Sequence, residues 1–307
     1  MNRRPSSRMT LALATGFGLL ALAGCASADP LSSGDSTSSD ETIVVGSQDY
    51  YSNEIIAEIY AQALENAGYD VQRDFRIGQR EAYLPEIESG SIDLFPEYTG
   101  PVLQVWDPET SARTADDVYA ALKESVPDGL RVLDQSDAKD EDSYVVTRAF
   151  ADEYGVTSIA DLAAVPVPLT LGGNSEGETR PIGPAGLKQT YGVDVSFTPI
   201  EDGGGPLTVK ALLDDQIQLA VIYTASPSMS SADLVALEDP AGLMLASHVV
   251  PLASDRLDDQ AVDIVNEISR EMSAADLVAL NTESIETQGS AATIATKWLG
   301  ERMPAGQ

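Results

Sequence analysis

The octapeptide Asp93-Leu94-Phe95-Pro96-Glu97-Tyr98-Thr99-Gly100 concentrates the residue types best suited to holding a ligand. Residues 92–95 read as a strand, Pro96 fixes the backbone and Gly100 permits a tight turn. Glu97, Tyr98 and Thr99 are thus presented at a strand C-terminus, the edge where open α/β sheets bind small molecules. The same string also suits a plain loop with one packed tyrosine. Glu97 and Asp142 could act as a carboxylate pair, although nothing in the sequence sets their separation. Other chemistries are poorly served. His248 is the sole histidine and Cys25 the sole cysteine, which leaves no ligand set for zinc or copper and makes a Ser-His-Asp triad a weak reading. No phosphate-cradling glycine loop stands out. No metal and no cofactor are expected.

Cys25 has a different meaning. It ends Leu22-Ala23-Gly24-Cys25, after an apolar run over 9–22 and the basic residues Arg3, Arg4 and Arg8. A basic start, a short apolar middle and small residues before the cut describe an export signal over 1–24, too short to span a membrane. A lone cysteine after that cut reads as a lipobox, with lipidated Cys25 as the new N-terminus anchored to the cell membrane on its extracytoplasmic face. A free thiol after an ordinary signal peptide is the alternative. Residues 26–40, rich in Ser, Asp and Gly, supply a disordered tether within 25–41.

The chain carries 49 acids against 18 Lys and Arg, a net charge of −31, and loss of residues 1–24 removes three of the bases and no acid. Such an excess favours solubility and argues against nucleic acid, whose phosphates require Lys and Arg. With no second cysteine, stability must come from a packed core. About 265 residues remain after the tether, enough for one large or two ordinary α/β domains.

The elements that must position these side chains alternate. Residues 42–45 form a β-branched run ending at Gly46. Ile55, Ile56, Ile59, Tyr60, Ala63 and Leu64 then share one helical stripe, with Ser52 as N-cap and Gly68 just past the end. Residues 71–77 look extended. The rhythm continues with helix 83–88, strand 92–95, helix 115–123 and strands 130–133 and 143–147. It resumes with strand 169–171, helix 184–191, strand 195–200, helix 207–214 and strand 219–223. Val262, Val265, Ile268 and Met272 form a further stripe, and Ser273 with Asp276 can box the helix that follows. Alternating α and β implies a parallel-rich sheet covered on both faces, and two such units suggest two lobes with a cleft between them. Trp106 and Trp298 lie among helix-like neighbours, where core packing is the better reading.

The segments VVGSQDYYSNEIIAEIYAQALENAGYDV and GQREAYLPEIESGSIDLFPEYTG resemble the substrate-binding proteins of osmoprotectant ABC importers, the glycine betaine, carnitine and choline binders. Collinear matches follow in EDSYVV, TSIADLA, GPAGLKQTYG, GGGPLTVKALLDDQIQLAVIYTASP, LVALED, HVVPL and SAADLVALN, so the resemblance runs from Ile43 to Arg302. It implies a two-lobed, type II periplasmic-binding-protein-like fold with the ligand between the lobes. It also implies a quaternary ammonium held by tyrosine rings. That group has no N–H to donate, so ring faces must hold it, each worth roughly 0.5–2 kcal/mol when desolvated. By the same resemblance Tyr98, Tyr144 and Tyr223 are cage tyrosines and Asp142 is a carboxylate lining the site. Arg180 stands where the family pairs an arginine with a betaine carboxylate. Tyr50 or Tyr51 can add a ring, and His248 lies at the return crossing.

Four positions depart from the pattern: Gln48 replaces a frequent Lys, Pro101 a polar residue, Asn53 a frequent Gln and Ser226 a frequent Asp. They leave room for choline or another cation beside betaine. The expectation is a monomeric solute-binding lipoprotein that delivers a cationic osmolyte to a membrane permease and its ATPase and performs no catalysis. Lobe 1 is expected over 42–146 plus 249–302 and lobe 2 over 147–248. A binder of polyphenols or other aromatic compounds, and an exported enzyme on the same scaffold, are the competing readings.

Overall fold

The computed structural model describes residues 42–230 and 233–303, so Cys25, the export signal and the tether lie outside the described residues. The chain opens with β1 (Ile43–Gly46), α1 (Tyr51–Asn66), β2 (Val71–Asp74), α2 (Arg80–Glu88), β3 (Leu94–Tyr98), α3 (Thr99–Trp106), α4 (Ala115–Ser125) and β4 (Leu130–Val132). It continues with β5 (Asp142–Thr147), α5 (Arg148–Tyr154), β6 (Leu169–Gly173), α6 (Pro184–Tyr191), β7 (Val195–Pro199), α7 (Pro206–Leu213), β8 (Leu219–Tyr223) and β9 (Leu234–Ala236). It closes with β10 (Val249–Ser254), α8 (Asp259–Glu271), α9 (Ala274–Thr287) and α10 (Ala291–Arg302).

Two mixed sheets result, ordered β2-β1-β3-β10-β4 and β7-β6-β8-β5-β9. They share one plan. In each, three parallel strands are followed by a single antiparallel strand, β10 or β5, at the fourth place. Those two strands are the ones on which the chain arrives from the other sheet. Because each runs against its neighbours, its N-terminal end lies beside their C-terminal ends, which sets Val249 opposite Tyr98 and Asp142 opposite Tyr223. Sequence reading placed 142–146 in the first lobe. Their pairing with β8 and β9 puts them in the second sheet, and the chain crosses over 133–141 instead. Hydrophobic alternation marks a strand but does not say which sheet it joins.

Each sheet is covered on both sides, which explains the near-continuous apolar runs of its inner strands. In the first, Leu94, Tyr98, Val249 and Ala253 face α1 and the C-terminal helices, while Phe95, Val250 and Leu252 face the core beneath α2, α3 and α4. In the second, Tyr144, Val146, Leu219 and Val221 share one core, and Val145, Ala220 and Ile222 the other. Trp298 is buried in the first of these cores, and half-buried Trp106 packs on the second while its indole N–H donates to Glu88 Oε1 at 2.9 Å.

Local signals fared unevenly. Gly68 follows the end of α1 with φ 95°, and Ser273 and Asp276 form the expected capping box. Ser52 does not cap α1. The helix starts two residues earlier, at Tyr51 with Tyr50 as N-cap, and the Ser52 hydroxyl lies buried within its first turn.

Candidate functional site

Two stretches of chain cross between the sheets side by side. Ser136 N–H donates to the Val249 carbonyl, Val249 N–H to Ala138, and Asp140 N–H to Ser247, at 2.9, 3.0 and 3.2 Å. Buried His248 sits at this junction, with Nδ1 2.7 Å from the Ser136 carbonyl oxygen. Beside it the strand ends converge. Tyr50 comes from the turn after β1, Tyr98 from the end of β3 and Tyr223 from the end of β8.

These three tyrosines gather at the crossing. The Tyr50 and Tyr223 rings stand 5.4 Å apart at 41°, one from each sheet's side. The Tyr98 hydroxyl lies beside Tyr50, Asn53 and Ser52, yet it and the Ser52 hydroxyl are buried without a hydrogen-bond partner. Burial, reinforced by neighbouring acids, holds all three phenols well above their ordinary range, so they stay neutral. A loop from the second sheet completes the approach. Gly203 and Gly204 have φ 63° and 73°, and a side chain at Gly203 would rest 3.5 Å from Tyr50 Cβ.

Two carboxylates, buried Asp140 and half-buried Asp142, accompany the rings. Asp142 is raised by burial, against which the Arg180 and Arg80 charges pull it down. Asp140, which sequence reading passed over, is pushed up to about 7, first by burial. Its Oδ1 accepts the Ala225 N–H at 2.9 Å.

The remaining predicted residues divide by what already holds them. Tyr144 lies in the core of the second sheet and its hydroxyl donates to the Ile182 carbonyl, so it buttresses the floor and does not join the other three rings. Asn53 spends its amide on structure, accepting from Gln48 N–H and donating to the Pro96 carbonyl, both at 2.8 Å. Gln48 keeps a buried, unpartnered Nε2. Glu97 is saturated. It takes two bonds from Arg80 at 2.6 and 3.0 Å, one from Tyr83 and one from Tyr98 N–H. That leaves no lone pair for acid–base work with Asp142. Arg180 reaches across to the first sheet's side, with Nε and Nη2 on Glu81 at 3.0 and 2.8 Å and Nη2 on Gln79 at 3.2 Å. A cavity of about 200 Å³ opens here, with Arg80, Glu81, Gln104, Asp142, Thr179 and Arg180 in its wall. A neighbouring cavity shares Asp142 and Arg180 and adds Tyr223 and Phe197, a ring that carried no sequence signal.

A family model described as OpuAC, substrate binding domain of ABC-type glycine betaine transport system, matches residues 41–301. A glycine-betaine-binding protein of Pseudomonas aeruginosa is 28% identical over 169 residues, 55% of this chain. The match spans half of that relative's length. Among solved structures, a glycine betaine/carnitine/choline ABC transporter protein superposes with a TM-score of 0.66 at 18% identity, covering 84% of this chain and 98% of the other. Lactococcal OpuAC, closed around glycine betaine, gives 0.61 at 15% identity over 85% and 96%. These likenesses show the fold, the two-lobed α/β architecture of the periplasmic-binding-protein type. On the family match, the chain belongs to the substrate-binding domains of ABC-type glycine betaine transport systems.

Proposed function

We propose that this protein is the extracytoplasmic solute-binding component of an ABC importer and holds a quaternary-ammonium osmolyte against Tyr50, Tyr98 and Tyr223. One observation carries the reading: buried Tyr98 and half-buried Tyr50 and Tyr223, all neutral and drawn from both sheets' sides, converge beside the carboxylates of Asp140 and Asp142 where the chain crosses. Ring faces attract a cation that cannot donate a hydrogen bond, and three rings supply several kcal/mol when desolvated, roughly 0.5–2 each. The carboxylates add charge complementarity. The glycine betaine named for the Pseudomonas and lactococcal relatives is of this chemical class.

The sheets act as two lobes, and a ligand touching both favours their closed arrangement by its differential affinity for it. The closed monomer is what a permease and its ATPase receive, and lipid on Cys25 keeps the domain at the membrane. The role is binding without turnover, consistent with a Glu97 whose lone pairs are all engaged.

Calorimetric titration with choline, glycine betaine and a neutral isostere carrying carbon in place of the quaternary nitrogen tests the cage. Both cationic heads are expected to bind and the isostere to bind poorly. Tyr223→Phe should change affinity little, whereas Tyr223→Leu should cost about two- to thirtyfold. An isostere that binds as tightly as the cations overturns the cage.

A further inference from the structure

We propose that Asp140 is the counter-charge of the bound ligand and the residue that sets its charge class, so that the site selects an organic monocation with a short neutral tail, a choline-type alcohol, over a zwitterionic betaine. The inference rests on the quaternary-ammonium reading above and sharpens it.

Four acids surround the cleft, and three have a guanidinium. Glu97 holds Arg80, Glu81 holds Arg180, and Asp142 feels both. Asp140 has none. The charges that bear on it are those of Glu141 and Asp142, both of its own sign, while its chain neighbour Lys139 is exposed, and its side-chain hydrogen bond comes from the Ala225 N–H. A carboxylate only 6% exposed that faces like charges is costly unless something positive arrives. What faces it is a set of phenols: Tyr50 and Tyr51 at the start of α1, Tyr98 at the end of β3 and Tyr223 at the end of β8. Neutral rings do not neutralise a carboxylate. They do form the walls that a quaternary ammonium requires, and the unpartnered Tyr98 hydroxyl lies in the same cluster.

The far end of the cleft points the same way. A betaine carboxylate would have to share or displace the acids that already hold the arginines, Glu81 on Nε and Nη2 of Arg180 and Glu97 on Nε and Nη2 of Arg80. It would also meet Asp142 and Glu81 in the wall of the 200 Å³ cavity. Gln104 and Thr179 in that wall offer neutral hydrogen bonding to a hydroxyl. On this proposal Arg180 does not select a betaine, contrary to what the resemblance implies.

Because Asp140 is raised to about 7 by burial, a proton competes with the ligand cation for it. Cation binding then expels that proton to solvent and tightens with pH. Calorimetry on the whole mature protein at pH 6 and pH 8, in buffers of different ionisation enthalpy, reads both effects. Choline affinity in the wild type should rise about tenfold over that interval, with proton release. Asp140→Asn keeps an oxygen for the Ala225 N–H and removes only the charge. It should weaken choline about tenfold or more at pH 8, change betaine less than about threefold, and abolish the pH dependence and the proton release. Equal losses for both ligands would overturn the assignment and make Asp140 a support of the crossing. A flat, proton-neutral choline titration in the wild type would overturn it without any variant. If the wild type binds neither ligand, the quaternary-ammonium reading itself fails.

Discussion

Glu97 looked from sequence like a catalytic or ligand-facing acid, because it sits beside Tyr98 in a strand-end motif. Its four bonds to Arg80, Tyr83 and Tyr98 N–H make it a structural hub instead. A buried pair of this kind contributes little net stability, but breaking it from one side strands a charge. Arg80→Ala should therefore cost about 3–5 kcal/mol of unfolding free energy, measured by urea denaturation. A double change of Arg80 and Glu97 to apolar residues should cost less. Strand-end position singled out Tyr98 and the family resemblance Tyr223, and the structure sets both at the C-terminal ends of their strands, β3 and β8. Tyr144 could not be separated from them that way. It lies on a strand interior that packs inward, and only the pairing Tyr144 with Val221 shows its ring facing a core. Asp140 gave no signal at all, because a lone acid in an acid-rich chain looks like any solvated one. Its meaning comes from the missing guanidinium.

Among the elements, α1 and α8 were legible from their apolar stripes and α9 from its Ser273–Asp276 box, all local properties, although the N-cap of α1 was misplaced. The two antiparallel strands were not, because their direction is set by where the chain must return. The glycine run 203–205 shows the same limit at loop scale. It marks a turn in sequence, but the need for glycine at each place is a matter of contacts. A Cβ on Gly204 would stand 2.7 Å from the Val221 carbonyl oxygen, backbone that cannot swing aside, at φ 73°. Gly204→Ala should destabilise the protein by about 1–3 kcal/mol and loosen the loop against Tyr50, lowering ligand affinity as well. Gly300→Ala serves as the control. It lies in α10 with nothing within 4 Å of the added carbon, and should be neutral or stabilising by up to about 1 kcal/mol. Matching denaturation midpoints for the two variants would show that the 203–205 loop is not strained as described.

For the whole molecule, closure is held by few direct bonds. Arg180 bridges to Glu81, whose side chain is 54% exposed, so this contact is worth no more than about 1 kcal/mol. On the proposal above, the ligand supplies the rest, and its cation offsets the buried charge of Asp140. The pH dependence of stability follows from that. The Asp140 carboxyl is raised by burial to about 7 in the folded, ligand-free protein, against an ordinary carboxylate value in the unfolded chain. Between roughly pH 4 and 7 the folded state therefore binds more protons than the unfolded state at this position, and its contribution to stability falls as pH rises through that window. Above it the contribution is flat. The ligand-free melting temperature should drop by several degrees between pH 5 and pH 8 through this residue alone. Asp140→Asn should remove that part of the slope and be more stable than the wild type at pH 8. Saturating choline should flatten the trend, because the bound cation holds the carboxylate ionised and the folded and unfolded states then bind equal numbers of protons at this position. Thermal melts of wild type and variant, with and without ligand, at both pH values measure all of this. If Asp140→Asn melts in parallel with the wild type across the range, the buried carboxylate is not the seat of the pH response.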